Sequence, residues 1–201
     1  MRSWTRVAFA LVAAAVAAAV AATPATAQVE LIGFDRVHQL FNAKDTRAAA
    51  RELRQVSVEF RNEIGRCRDE ALGARLMELE PKFDVLAGRI TAGTLTTAST
   101  LEDEFAIIDR LLALNHQQLA ATAWTFRRFG RIEGVGADLA VSARYVVRAA
   151  RWAHQPLDDP MQKLVNEALA IAERIKADPT NPPAETGAVI EALGKALKGT
   201  S

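Results

Sequence analysis

The sequence predicts an all-α protein, an antiparallel up-and-down bundle of four to five main helices preceded by a signal peptide. Three observations carry this. Apolar residues recur at steps of three and four through most of the chain, which stacks them on one side of a helix. No alternating apolar–polar run bounded by hairpin turns argues for a strand. Half of the 201 residues are hydrophobic while 6% are aromatic, a globular helical composition rather than a disordered one.

The N-terminus reads as an export signal. Arg2 and Arg6 precede an unbroken apolar run from Val7 to Ala22, and Ala25-Thr26-Ala27 fits a small-residue cleavage site. The run is too short and too alanine-rich for a good membrane span, which needs about 20 apolar residues. Cleavage after Ala27 is expected, leaving a mature chain with no stable membrane span and a periplasmic or secreted location. The formal net charge of +1 gives no electrostatic case for nucleic acid. Cys67 is the only cysteine, so no internal disulfide can form, and its place after Leu53, Val56, Phe60 and Ile64 suits a small buried hydrophobe.

Residues 28–179 form the expected bundle. Phe34, Val37, Leu40 and Phe41 suggest a short amphipathic opening helix. Asp45 or Thr46 can cap the next, striped by Leu53, Val56, Phe60, Ile64 and Cys67. A second series, Leu72, Leu76, Leu79, Phe83, Leu86 and Ile90, keeps its phase through Pro81. A kink or short break is expected there, with the two pieces roughly in line and Gly93 as the stop.

The most regular stretch runs from Ser99 to Phe129. Leu101, Phe105, Ile108, Leu112, Asn115, Leu119, Thr122, Phe126 and Phe129 alternate at steps of four and three, and only Asn115 and Thr122 interrupt an apolar seam. Ser99 with Glu102, and Thr100 with Asp103, have capping-box spacing. The glycines at 130, 134 and 136 lack the spacing and flanks of a phosphate loop and suit a tight helix connection. A small-residue helix follows from about Ala137 to His154. Another begins at Asp158 or Asp159 and ends at Pro179. Residues 180–201 give a linker and a short amphipathic terminal helix.

Chemistry-bearing patterns are sparse. No nucleophile elbow, His-Glu-x-x-His or covalent haem motif occurs, so no catalytic residue, metal ligand or cofactor is assigned. Residues 127–151 contain six arginines, Arg127, Arg128, Arg131, Arg144, Arg148 and Arg151, against Glu133 and Asp138. With Tyr145 and Trp152 they make the candidate partner-binding face, because arginine and aromatic side chains anchor interfaces and grip anions. The functional expectation is an exported, non-enzymatic accessory protein that binds an unknown protein or anionic ligand. The alternative is a small-molecule or tetrapyrrole carrier with its ligand between helices near Asn115 and His116.

Overall fold

A computed structural model describes residues 31–129 and 132–199, Phe129 in its backbone only. The expected signal peptide, Arg131 and Gly130 lie outside the described residues. Among those residues there are seven α-helices, a 3-10 turn and no strand. The helices are α1 (Phe34–Asn42), α2 (Thr46–Arg66), α3 (Glu70–Thr91), α4 (Ser99–Thr125), α5 (Ile132–Trp152), α6 (Asp159–Ala177) and α7 (Thr186–Gly199), with the 3-10 turn at Arg127–Phe129.

Local chemistry sets several of these ends. Asp45, Asp69 and Asp158 each accept a hydrogen bond from the backbone N–H three residues on, at 2.9–3.0 Å. Such a cap is worth about 1 kcal/mol because it satisfies an otherwise orphaned donor. Gly93 stops α3 with φ +67°, a left-handed turn that glycine enters without a Cβ penalty.

Two expectations need correction. The chain does not break at Pro81; α3 runs through it. Pro81 is exposed and Met77, four residues earlier, is 57% exposed, so water can reach the carbonyl left without its N–H donor. The real break is at Cys67, Arg68 and Asp69, where Cys67 is extended (φ −62°, ψ 132°) and Asp69 recaps the chain. The start of α4 also lacks the expected capping box: the cap is Ala98, with no side-chain bond, and the Ser99 hydroxyl donates to Thr97 Oγ1 instead.

The helices pack as two layers. In one, α2 and α3 form a hairpin with α1 laid on α2. In the other, α4 packs on α5, α5 on α6, α6 on α7, and α7 returns onto α4. Small side chains allow the α4–α5 approach, and the Ser142 hydroxyl donates to the Ala113 carbonyl at 2.7 Å across it. At Gly136 a Cβ would stand 3.1 Å from Ile175 Cγ2, so that glycine permits α5 to approach α6. Between the layers lies an aromatic core: Phe34 stacks on Phe105 at 4.2 Å, Phe60 lies tilted against Phe83 at 5.1 Å, and Trp152 stands edge-on to Phe105 at 5.6 Å.

Candidate functional site

Of the polar and aromatic side chains that sequence reasoning singled out, Asn115, His116, Tyr145, Arg148 and Trp152 are buried at the seam between the two layers, mixed with this aromatic core. Three clusters follow one another along it.

The first is a buried ion pair. Asp109 of α4 is fully buried and Arg148 of α5 is 5% exposed. Arg148 Nε and Nη2 donate to the two carboxylate oxygens of Asp109, each at 2.7 Å, and Nη1 donates to the Ile32 carbonyl at 2.7 Å. The guanidinium also lies 5.2 Å from the Phe34 and Tyr145 ring centres. The Tyr145 hydroxyl accepts from the Ile32 N–H at 3.4 Å, so both backbone groups of Ile32 are held by α5. Burial pushes the Asp109 carboxyl up to about 6, against the pull of Arg148. The same contact outweighs burial on the other side and favours the arginine cation. These two tendencies oppose each other, and the bidentate geometry decides for an ionised pair at neutral pH. The Trp152 indole N–H contributes to holding the Asp109 charge without completing a hydrogen bond.

The second cluster surrounds His116, 2% exposed. Its Nδ1 is 2.8 Å from Asp138 Oδ1 of α5, and its Nε2 is 3.2 Å from Glu63 Oε2 of α2, an ionic contact that falls short of hydrogen-bond geometry. Arg66 closes the group, reaching both Glu63 (3.2 Å) and Asp138 (3.0 Å). Tyr145 stacks over the imidazole at 5.7 Å. Burial works against the imidazolium, but Asp138 and Glu63 outweigh it and hold the His116 pKa above its ordinary value. Glu63 is held below the usual carboxylate range because His116 and Arg66 outweigh its partial burial. Asn115, fully buried, donates to the Glu63 carbonyl at 3.5 Å.

The third cluster is at the seam's edge. Glu102 of α4 meets His38 of α1 at 2.7 Å and His154, just past α5, at 2.9 Å, one imidazole on each oxygen. His154, and His38 with it, hold the Glu102 pKa down against partial burial. Nearby, Arg151 pairs with Asp35, which also meets Arg148 at 3.5 Å.

The residues of the expected arginine face therefore separate. Tyr145, Arg148 and Trp152 are buried in the seam, so they are not part of an exposed patch. Their sequence spacing put them on one side of α5, and that side is the one covered by α1. Arg151 is exposed but paired to Asp35 and stacked 4.4 Å over Trp152. Arg127 stacks 4.3 Å over Trp124. Arg128 is exposed and Arg144 half-buried, and neither makes an ion pair among the described residues. Asn115 and His116 are packed against protein groups, and neither lines any of the four surface cavities described for the molecule. Thr122, the second interruption of the α4 seam, is exposed and bonds back to the Gln118 carbonyl.

Sequence reasoning missed Asp109 entirely. Its signal was available: position 109 lies one turn from Phe105 and Leu112, on the side of α4 that the apolar stripe defines. Among the described residues no three His, Cys, Asp or Glu side chains are grouped to hold a metal ion, and no helix is long and apolar enough to cross a membrane. Comparison of the chain with protein-family models, curated proteins and solved structures finds no match.

Proposed function

We propose that the protein is an exported, non-enzymatic binding or accessory protein that engages an acidic partner surface or anionic ligand through the outward arginines of residues 127–151. The observation that supports this best is the division within that segment. Arg148 is spent on the internal Asp109 pair, while Arg128 and Arg144 carry charge with no ion-pair partner among the described residues. Arg144, Val147 and Arg151, at i, i+3 and i+7, share one outer strip of α5, and Val147 is 44% exposed on it. The internal pairs hold α5 against α1 and α4, so the strip belongs to a rigid element that would lose little entropy on binding. Export rests on the N-terminal pattern of residues 1–27.

The experiment is affinity isolation from the native compartment with mass spectrometry, comparing the natural chain with an Arg128→Glu, Arg144→Glu variant. Neither substitution touches the buried network. A partner retained by the natural chain, lost by the variant and released by salt is the expected result. Equal retention by both chains overturns the proposal. The intact mass of the same material tests cleavage after Ala27.

A further inference from the structure

From the groove where α5 turns into α6, we infer a second binding site, one that takes an amphiphilic monocarboxylate of the fatty-acid class. This reading is independent of the arginine strip. The groove has a volume of about 490 Å³, within the range of small-molecule sites. It lies in line with the terminal helix. α7 runs along α4, with Gly187 against Trp124 and Gly194 against Gln117, and Leu197 near its end forms part of the groove's lining.

The lining is chemically divided. Val146, Ala149 and Ala150 of α5, Leu157 of the connection and Met161 of α6 supply apolar surface, and methionine adapts readily to ligand shape. Arg110 of α4 supplies a cation; it is exposed and makes no ion pair among the described residues. Asp158 also lines the groove, but its carboxylate is engaged in capping α6, accepting from the Met161 N–H at 2.9 Å. The groove thus has one cation, Arg110, with no ion-pair partner among the described residues, and one anion, Asp158, fixed at the start of α6. An acyl chain fits the apolar walls, and its carboxylate belongs at Arg110, away from Asp158.

The connection is shaped for this. His154 adopts φ +52°, the left-handed region that non-glycine residues seldom enter, and Pro156 follows it. Gln155, Pro156 and Leu157 line both this groove and a second cavity of about 310 Å³. Backbone outliers of this kind persist where surrounding contacts over-determine them. Here the Glu102 contact holds the His154 side chain.

The test is calorimetric titration of the full chain with dodecanoate, dodecanol and dodecyltrimethylammonium. Saturable dodecanoate binding is expected, with dodecanol at least about tenfold weaker, since a charge-assisted hydrogen bond to Arg110 is lost. Arg110→Gln should weaken dodecanoate by about tenfold or more for the same reason, and Ala150→Trp should fill the groove and abolish binding. Arg110→Gln removes no internal ion pair, so it remains decisive if the tryptophan variant fails to fold. Equal affinity for dodecanol, tighter binding of the cation, no saturation by dodecanoate, or an unchanged Arg110→Gln titration would each overturn the inference. Adsorption to phosphatidylglycerol vesicles without uptake of free dodecanoate would do so too, by assigning the groove to a membrane surface.

Discussion

Two clusters tie α1 to the α4–α5 pair, and they differ in one respect. The Arg148–Asp109 pair is sealed from water, while the His38–Glu102–His154 cluster is at the edge, with His154 73% exposed. Contact lengths are similar, 2.7 Å in the first and 2.7–2.9 Å in the second. Burial, not distance, sets what each can do. At the edge, water competes for both partners and an ion pair contributes about 0–1 kcal/mol. In the sealed pair neither partner has water to fall back on, so removing one leaves an uncompensated charge. The buried pair thus adds little as a pair, yet strongly penalises any arrangement in which α5 is out of register with α4.

This contrast can be broken experimentally, and the largest effect is expected inside. Arg148→Ala should destabilise the fold by about 3–5 kcal/mol, because Asp109 stays buried and unpaired. Urea unfolding at neutral pH measures it. Replacing both partners, Asp109→Leu with Arg148→Met, should recover most of that loss, since an apolar pair of similar volume carries no desolvation cost. If the double variant is as unstable as the single one, the bonds from Arg148 to Ile32 matter more than the charge pair.

An intermediate effect is expected at His116. Its pKa is raised above 6.5, so its contribution is complete below that value and is lost as pH rises through the shifted one. Glu63 is lowered below 4.5, so its contribution is complete above that value and is lost as pH falls through the shifted one. The cluster therefore stabilises most between about pH 4.5 and 6.5. His116→Gln should remove the decline in stability on the alkaline side, read as the urea midpoint against pH. A variant whose midpoint still tracks the natural chain's curve above pH 6.5 would show that the decline arises elsewhere. The smallest effect is expected at the edge, where His154→Ala should change stability by no more than about 1 kcal/mol. A larger loss would mean that the His154 turn, rather than its ion pair, holds α5 to α6.

The helices were legible in sequence where a single local signal marked them. The stripe of α4, the Asp158 cap and the seven-residue spacing of arginines on α5 all depend on neighbours within two turns. The α2–α3 turn was missed because Leu53 to Cys67 and Leu72 to Ile90 keep helical spacing on either side of it. Three residues without regular hydrogen bonds leave little trace in a pattern of period 3.6. At Pro81, where a kink or a short break was expected, the break does not occur: the residue is a strong local breaker, tolerated because it sits on an exposed face. For the candidate site, the arginine spacing was visible but its division was not. Arg144 and Arg148 are one turn apart with the same chemistry, and what separates them is that α1 covers one and leaves the other outside.

By itself the sequence determined the helical class, the Asp45 and Asp158 caps and the apolar faces, because these follow from backbone geometry and short-range spacing. Only the tertiary structure decided that Asp109, His116 and Arg148 are internal, that Glu63 and Asp138 converge on one imidazole, and that Arg110 stands over an open groove. Those outcomes depend on which helix covers which face. That choice is made by contacts between residues far apart in the chain, such as Ile32 with Arg148 and Glu63 with His116, and periodicity carries no record of them.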